Sequence, residues 1–326
     1  MKAIVLDGFG DESVMRLAEV APPRLERGAL RIRVAATAVN RADLLQRQGL
    51  YPPPPGASEI LGLECAGEVS EVGEGVSGWR VGERAMALLA GGGYAEEAVV
   101  DAGSALRVPE RLSLEEAAAI PEVFLTVFLN AFQLGGLEPG GCALVHGGGS
   151  GIGTAAIQLV KAAGAKLVVT AGSDEKCTRC LALGADLAVN YRTGDFVAAC
   201  KELSAGRGVD VILDSIGAAY LEKNLASLAI GGRLLLIGLM GGAKAEIGLG
   251  QVLTRRLQLI GSTLRARLAA EKARIVAAFE SRFGPALADG SVRPSVDRVL
   301  PLERAAEAHR LVKTSEHFGK VVLRVG

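Results

Sequence analysis

Residues 146–153 read HGGGSGIG, and five of these eight positions are glycine. The apolar run CALV (142–145) comes before them, and TAAIQLVKAAG (154–164) follows with apolar residues spaced three and four apart, as on one helix face. The pattern predicts a strand, a tight turn and a helix. In such a turn, backbone N–H groups can approach a diphosphate while the helix N-terminus supplies positive potential. We therefore expect a dinucleotide at this turn.

The spacing of the glycines is by itself a weak signal. The frame from Gly148 to Gly153 has Ser150 where the G-x-G-x-x-G motif has its second glycine, and the frame starting at Gly151 fits with Ala156 in the last position. A glycine-rich turn without a ligand is the alternative. The context favours a nucleotide, because six near-continuous apolar runs with helical patterns between them predict a doubly wound parallel sheet. These runs are 142–147, 166–171, 187–191, 210–215, 233–238 and 257–262.

The rest of the chain has a different pattern of apolar residues and glycines. Residues 1–121 read as short strands punctuated by glycine, with one helical pattern near 41–48 and an extended loop at YPPPPG (51–56), which predicts a β-rich, barrel-like domain. The tail from 264 contains a helical pattern and a closing strand, KVVLRV. Because these cannot form a core alone, we expect them to join the first domain. The predicted domains are 1–121 with 264–326, and 122–263.

Composition limits the partners. Lys and Arg number 36, as do Asp and Glu, so no overall charge attracts nucleic acid or anionic lipid. There is no apolar run long enough for a signal peptide or a membrane span. The five cysteines are dispersed and odd in number, which suits reduced thiols. We expect a cytoplasmic protein that binds small molecules and neither nucleic acid nor membrane.

The second predicted strand indicates which dinucleotide binds. An NAD site typically has Asp or Glu about twenty residues after the glycine turn. This chain has Ala171, Gly172 and Ser173 there, followed by Lys176. Tyr191 ends the next strand, beside Arg192. Hydroxyl donors and cations suit a 2′-phosphate, so we expect NADPH. The alternative is that Lys176 and Arg192 are solvated surface charges and that the cofactor is NAD.

Several segments together resemble the medium-chain dehydrogenase/reductase superfamily. They are VNRADLLQRQGLYPPPPGASEILGLECAGEV, AAAIPEVFLTVF, HGGGSGIGTAAIQL, LDSIGAAYLEKNLASLAIGGRLLLIGLMGG and FGKVVL. Within it the chain is most similar to the zinc-independent, zeta-crystallin-like quinone oxidoreductases, especially the tumour-suppressor-inducible branch. The resemblance runs nearly end to end. It implies an α/β chain with a GroES-like catalytic domain, a Rossmann domain and a homodimer formed through the Rossmann sheets.

Many members of this superfamily bind zinc through residues that this sequence lacks. The three positions that would carry their ligands hold Asn40, Leu63 and Glu122. Residues 86–98, where a four-cysteine structural lobe would lie, contain no cysteine. Because a zinc site needs three or four suitable ligands, we expect no metal.

The resemblance also implies site residues. It places Asn40, Tyr51 and Ser150 in the active site, where fixed donors would stabilise charge developing on an acceptor oxygen. The alternatives are that Asn40 caps a helix, that Tyr51 anchors the proline loop and that Ser150 bonds only to the loop backbone. The implied cofactor-binding residues are Thr126, Ser150, Gly151, Ile152, Gly153, Gly172, Ser173, Lys176, Tyr191, Gly238, Met240, Phe318 and Lys320.

Without a metal, the substrate must accept a hydride readily, which favours a quinone or an enone. We expect NADPH to reduce a quinone in a cleft between the domains, with Asn40 and Tyr51 donating hydrogen bonds. Two alternatives stay open: an NADPH-dependent enoyl or alkenal reductase, and a nucleotide- or RNA-binding protein with vestigial catalysis. Balanced charge and few aromatic residues disfavour RNA.

Two further patterns are weaker. Cys177 and Cys180 have the spacing of a redox pair and cationic neighbours that would lower a thiol pKa, but they fall within a predicted helix. His146 ends the first strand of the sheet, where we expect it to orient the glycine turn rather than to act as a base.

Overall fold

A computed structural model describes residues 1–326, which form two compact units. The terminal unit, named for the two chain ends that build it, comprises Met1–Leu125 and Leu264–Gly326. The central unit comprises Thr126–Thr263. The chain thus passes into the central unit after Leu125, whereas the sequence predicted residue 121, and it leaves after Thr263.

Nine strands build the terminal unit: β1 (Lys2–Leu6), β2 (Met15–Glu19), β3 (Ala29–Ala38), β4 (Glu64–Val72), β5 (Arg84–Leu88), β6 (Glu97–Asp101), β7 (Ala105–Arg107), β14 (Val296–Pro301) and β15 (Lys320–Arg324). β1 and β2 form an antiparallel pair. The other seven form one sheet in the order β14-β15-β3-β4-β5-β7, in which β6 also pairs with β3. The sheet is antiparallel except where β14 runs parallel to β15.

The central strand β3 shows why this sheet folds. Leu30, Ile32 and Val34 are buried, and Arg33 between them is exposed, so alternate residues face the core. Because β3 pairs with three other strands, its apolar face organises the core of the unit. That core also contains Ile4, Leu61, Val69, Tyr94, Leu300, Val321 and Leu323.

The tail of the chain adds more structure than the sequence predicted. The terminal unit contains α1 (Arg41–Arg47), α2 (Leu114–Ala117), α3 (Pro121–Val127, which continues into the central unit), α9 (Ala269–Asp289) and α10 (Ala305–Thr314). The strand β14 and the helix α10 were not predicted. Both were missed because each is short and lies among charged residues. The predicted return of the tail is visible in the pairing of β15 with β3.

The central unit is a six-stranded parallel sheet. Its strands are β8 (Cys142–His146), β9 (Lys166–Ala171), β10 (Leu187–Asn190), β11 (Val209–Asp214), β12 (Leu228–Leu236) and β13 (Gln258–Gly261). Their order is β10-β9-β8-β11-β12-β13, so the chain reverses direction across the sheet between β8 and β11. The helices are α4 (Gly151–Ala162), α5 (Asp174–Leu183), α6 (Phe196–Leu203), α7 (Leu221–Ser227) and α8 (Leu249–Thr254), with a π-helical segment at Phe128–Leu134.

This topology is the doubly wound sheet that the sequence predicts. Leu144, Val168, Ile212 and Leu234 belong to its buried core and come from four different strands, as expected for a sheet covered on both faces. β12 begins at Leu228, ahead of the predicted start at residue 233, because the strand continues through two glycines. The prediction of an α/β chain with a GroES-like domain and a Rossmann sheet is confirmed.

The longest helix is α9, with 21 residues. Neither it nor any other helix combines the length and the apolar character that crossing a membrane requires.

Candidate active site and nucleotide-binding turn

The glycine turn lies between β8 and α4 in the central unit. Ser150 is the N-cap of α4, and its Oγ accepts a hydrogen bond from the Gly153 N–H at 3.0 Å. A Cβ atom on Gly153 would overlap the Gly147 carbonyl oxygen, so only glycine allows the turn to pack this closely against the helix. The Ser150 hydroxyl therefore holds the turn, and its role in the active site stays a prediction.

Three backbone N–H groups at this turn have no acceptor within the chain. They belong to Gly149, Gly151 and Ile152, whereas the N–H of Gly148 donates to Thr170 O at 2.7 Å. Unpaired N–H groups at the start of a 12-residue helix form a site for a phosphate anion. The turn fits the diphosphate of a dinucleotide.

The end of β9 fits an additional phosphate. Ser173 is the N-cap of α5, and its Oγ accepts the backbone N–H of Lys176 at 3.2 Å. A Cβ atom on Gly172 would lie 2.9 Å from the Tyr191 hydroxyl oxygen, so Tyr191 is packed over the glycine. The nearby carboxylate of Asp174 already accepts a hydrogen bond from Asn190 Nδ2 at 2.8 Å. Hydroxyl groups therefore lie at the strand end, and the first turn of α5 carries two carboxylates, Asp174 and Glu175, of which Asp174 is hydrogen bonded to Asn190.

A buried polar network lies next to the glycine turn and begins at His146, the last residue of β8. His146 Nε2 lies 2.7 Å from Asn224 Oδ1, and its Nδ1 lies 3.1 Å from Thr170 Oγ1. Asn224 Nδ2 donates to Asp214 Oδ2 at 3.1 Å, and Asp214 also accepts the Gly217 N–H. Burial lowers the pKa of His146 to about 4, so the ring is neutral at pH 7, carrying its proton on Nε2. His146 thus links the ends of three strands.

The remaining predicted cofactor residues are divided between the two units. In the central unit, Gly238 and Met240 follow β12, with the Met240 N–H donating to Ser215 O at 3.1 Å, and Thr126 is buried. In the terminal unit, Phe318 and Lys320 are buried. The structure places Lys320 beside Asn40, a predicted active-site residue.

The centre of the terminal unit is a buried ion pair. Lys320 Nζ donates to Glu64 Oε1 at 2.8 Å, to Asn40 Oδ1 at 2.6 Å and to Val39 O at 3.1 Å. The other carboxylate oxygen, Glu64 Oε2, accepts the backbone N–H of Glu122 at 2.9 Å. All three ammonium protons and both carboxylate oxygens are therefore bonded, as a buried pair requires.

This arrangement changes the expected role of Asn40. Its Nδ2 donates to Glu64 Oε1 at 2.8 Å and to Ala38 O at 3.3 Å, while its Oδ1 accepts from Lys320. An amide nitrogen has two protons, and here both are in use. The structure thus disagrees with the expectation that Asn40 donates to an acceptor oxygen. Asn40 instead fixes the ion pair, and as the N-cap of α1 it donates its backbone N–H to Asp43 Oδ2.

A second buried chain of contacts leads away from Asn40. Asp43 Oδ2 accepts the backbone N–H of Asn40 at 2.8 Å and the Tyr94 hydroxyl at 3.4 Å. The Tyr94 hydroxyl lies 3.1 Å from His309 Nε2, and His309 Nδ1 lies 3.1 Å from Arg47 Nη1. Because arginine can only donate, His309 carries its proton on Nε2. Burial raises the pKa of Asp43 to about 6 and lowers that of His309 to about 3.

Tyr51 retains a free donor. Its ring lies 5.3 Å from the guanidinium carbon of Arg265, and no group of the chain hydrogen bonds to its hydroxyl. Burial raises the pKa of Tyr51, and the positive charge of Arg265 opposes that rise. The hydroxyl is therefore protonated at pH 7 and available to a substrate. Its backbone carbonyl accepts from Arg265 Nη1 at 3.3 Å, so Tyr51 also anchors the proline loop.

The cysteine pair does not have a reactive environment. Cys177 and Cys180 are both buried, and burial raises the pKa of Cys180 to about 12 despite the positive charges of Lys176 and Arg179. Lys176 and Arg179 do act to lower the pKa of Cys180, as expected, but desolvation by burial outweighs them and the net shift is upward.

Sequence reasoning missed several of these contacts. No motif indicated Asp43, Tyr94 or His309. The contacts of His309 with Tyr94 and with Arg47 each join residues at least 215 positions apart in the sequence. Asp214 and Asn224 lie in quoted segments, where a carboxylate ending an apolar strand could have marked Asp214 as a polar group under the turn.

The chain matches two families and many relatives. Residues 26–110 match the alcohol dehydrogenase GroES-like domain, and residues 151–280 match the zinc-binding dehydrogenase family. The synaptic vesicle membrane protein VAT-1 homolog of Homo sapiens is 31% identical, over 100% of this chain and 87% of that protein. The chain belongs to the medium-chain dehydrogenase/reductase superfamily. A quinone oxidoreductase of Sus scrofa is also 31% identical to this dehydrogenase/reductase, over 99% of the chain and 97% of that protein.

Solved structures of other oxidoreductases are similar to this chain over its whole length. The quinone oxidoreductase of Escherichia coli complexed with NADPH has a TM-score of 0.88 and 29% identity to this dehydrogenase/reductase, covering 99% of the chain and 100% of that structure. A structure described as an NAD-dependent alcohol dehydrogenase has a TM-score of 0.87 and 35% identity, with complete coverage of both chains.

Zinc does not fit this dehydrogenase/reductase, although one matching family is described as zinc-binding. The side chains at the three ligand positions are Asn40, Leu63 and Glu122, and the ammonium group of Lys320 lies on Asn40 and Glu64. A cation already bonded to these oxygens would repel a second one. No group of three or more His, Cys, Asp or Glu side chains is arranged to hold a metal ion.

Proposed function

We propose that this protein reduces quinones with NADPH, without a metal ion. The observation that carries the proposal is the Lys320–Glu64 ion pair, which is bonded to Asn40 and to the backbone N–H of Glu122, two of the three positions where other members of the superfamily would carry zinc ligands. Without a Lewis acid to polarise a carbonyl, a substrate that accepts hydride readily is required, and a quinone meets this need. Relatives described as quinone oxidoreductases support it.

The proposed cofactor is NADPH rather than NADH. The unpaired N–H groups of Gly149, Gly151 and Ile152 would hold the diphosphate. Ser173 and Tyr191 would contact the 2′-phosphate, because their hydroxyl groups lie at the end of β9. The solved structures do not decide the choice, since one contains NADPH and another is described as NAD-dependent. The choice therefore depends on this chain's own residues.

Bound NADPH would supply a hydride, which turns a quinone into a hydroquinone monoanion that one proton completes. The free hydroxyl of Tyr51 would donate a hydrogen bond to the acceptor oxygen as negative charge develops there. Asn40 would act as a positioning residue, since its amide is committed to Glu64 and Lys320. His146 would hold the glycine turn in place rather than move a proton, because its pKa is too low for a base at pH 7.

Steady-state assays with a panel of acceptors test the proposal. We expect turnover of 1,4-benzoquinone and 9,10-phenanthrenequinone with NADPH, and much slower turnover of 2-alkenals. Faster reduction of 2-alkenals would identify an enoyl or alkenal reductase instead. Activity unchanged after dialysis against a chelator, with no stoichiometric zinc by elemental analysis, would support the absence of a metal. Loss of activity that zinc restores would contradict it.

We further propose a homodimer formed through the central unit. β13 is an edge strand of its sheet, and the adjacent helix α8 exposes Leu249 and Leu253 to 70% and 79%. An open edge beside exposed leucines favours association with a second copy. Light scattering should give twice the chain mass, and Leu253→Glu should lower it to that of a monomer. A wild-type monomer would contradict the proposal.

We also propose that the protein is located in the cytoplasm.

A further inference from the structure

Four aromatic rings form a cluster at the carboxyl end of the parallel sheet in the central unit. This aromatic cluster consists of His146, Tyr191, Phe196 and Tyr220. The ring centroid of Tyr220 lies 4.8 Å from that of His146 and 5.3 Å from that of Phe196. It lies 6.4 Å from that of Tyr191, and all three separations are typical of aromatic pairs. Tyr220 is therefore the member of the cluster that contacts the other three rings.

Hydrogen bonds hold the backbone of Tyr220 in place. Tyr220 ends a short 3₁₀ helix, Ala218–Tyr220, and its N–H donates to Gly217 O at 3.0 Å. The Ala218 N–H donates to Gly242 O at 3.0 Å, and the Gly217 N–H donates to the buried carboxylate of Asp214. Tyr220 is also half-buried. Its ring therefore has a fixed position from which it can support a neighbouring side chain.

Tyr191 lies in a more exposed part of the chain. It follows β10, the next four residues are exposed, and Tyr191 itself is 43% exposed. Its N–H donates to Ala171 O at 3.1 Å, which places it beside the end of β9. A Cβ atom on Gly172 would lie 2.9 Å from the Tyr191 hydroxyl oxygen and 3.4 Å from the ring carbon that bears it. Gly172 and the ring of Tyr220 thus limit the orientations of the Tyr191 side chain.

We infer that Tyr220 is a positioning residue for the choice of cofactor. Its ring holds the Tyr191 hydroxyl above Gly172, where that hydroxyl donates a hydrogen bond to the 2′-phosphate of NADPH. The inference rests on the proposed function, in which Tyr191 contacts this phosphate. Without the Tyr220 ring, Tyr191 would occupy several rotamers, and ordering its hydroxyl would cost binding free energy. NADH carries a neutral hydroxyl at the 2′ position, so it gains less from an ordered donor there.

The contact of Tyr220 with His146 has a different consequence. His146 ends β8 beside the glycine turn, which NADPH and NADH would both use. Loss of this contact alone would weaken the two nucleotides by the same factor. The ratio of their dissociation constants therefore reports the contact with Tyr191 and separates it from a general loosening of the site.

Isothermal titration of nucleotide-free protein with NADPH and with NADH tests the inference. Tyr220→Leu removes the ring and should weaken NADPH binding about fivefold, while the Kd for NADH stays within about twofold of the wild-type value. Tyr220→Met is a second variant without the ring and should show the same change. Tyr220→Phe keeps the ring and is the matched control, so it should retain the wild-type ratio of the two Kd values.

A double-mutant cycle tests whether Tyr220 acts through Tyr191. Tyr191→Phe lacks the hydroxyl group, so adding Tyr220→Leu to it should leave the ratio of the two Kd values unchanged. If Tyr220→Leu lowers the preference for NADPH by the same factor with and without the Tyr191 hydroxyl, the inference is wrong. Equal weakening of NADPH and NADH in Tyr220→Leu would also overturn it, because the ring would then have only a structural role.

The same titrations separate this inference from the proposed function. A wild-type preference for NADPH that survives in both Tyr220→Leu and Tyr220→Met would remove the inference and leave the proposed cofactor standing. A wild type with no preference for NADPH would remove the proposed cofactor, and the inference with it.

Discussion

Lys320 Nζ lies 2.8 Å from Glu64 Oε1, although 256 residues separate the two in the chain. Their side chains are 3% and 0% exposed, so solvent does not screen the pair. β15 brings the lysine beside β3, and β4 begins with the glutamate on the other side of β3. The pairing of these three strands therefore places the ammonium group of Lys320 beside the carboxylate of Glu64 in the interior of the terminal unit.

Replacing Lys320 with methionine should destabilise the terminal unit by about 3–5 kcal/mol, because Glu64 would be left buried without its counter-charge. Urea unfolding measures this free energy. The double change Lys320→Met with Glu64→Gln should recover part of the loss. Lys313→Met is the control, since this exposed lysine lies 3.6 Å from Glu12 and should cost about 1 kcal/mol or less. Equal effects of the two single changes would refute the structural role of the pair.

Replacing Tyr51 with phenylalanine should lower kcat for quinones by a factor on the order of 10², because the acceptor oxygen loses a fixed donor. The affinity for NADPH should stay within about twofold of the wild-type value. Tyr220→Phe removes a hydroxyl from the central unit and serves as the control. If Tyr51→Phe and the wild type have the same kcat, Tyr51 has no part in the chemistry.

The stability of the fold should depend on the protonation of His146. Its pKa is lowered to about 4, below the ordinary value of 6.5, so the unfolded chain binds the proton more readily. As pH falls from 6.5 towards 4, the folded state should lose about 1.4 kcal/mol per pH unit relative to a His146→Gln variant. Asp43, whose raised pKa acts with the opposite sign, is common to both proteins and cancels. Parallel pH profiles for the two proteins would show that His146 is not held neutral.

Replacing Gly153 with alanine should weaken NADPH binding and lower Tm, because the added methyl group overlaps the Gly147 carbonyl oxygen and pushes the turn away from α4. Gly250→Ala is the matched control, since a Cβ atom there meets nothing within 4 Å and should stabilise α8 by about 0.5–1 kcal/mol. Calorimetry with NADPH and thermal unfolding measure the two effects. An unchanged NADPH affinity in Gly153→Ala would argue against a diphosphate at this turn.

The central unit could be predicted well because buried parallel strands read as apolar runs and because a glycine turn has a local cause. The close approach of Gly153 to Gly147 joins residues six positions apart, which a motif can record. The Lys320–Glu64 pair could not be predicted in this way, because 256 residues separate its members. Asn40 was predicted as a site residue from the resemblance, but its side-chain bonds to Lys320 and Glu64 join β15 and β4 and could not be predicted.

Isothermal titration of nucleotide-free protein tests the central claim most directly, since the unpaired N–H groups of Gly149, Gly151 and Ile152 should hold a dinucleotide. We predict one site per chain, with NADPH bound at least about tenfold more tightly than NADH because of the groups around Ser173. Tighter binding of NADH would reverse the choice of cofactor. The absence of any heat with either nucleotide would contradict the account as a whole.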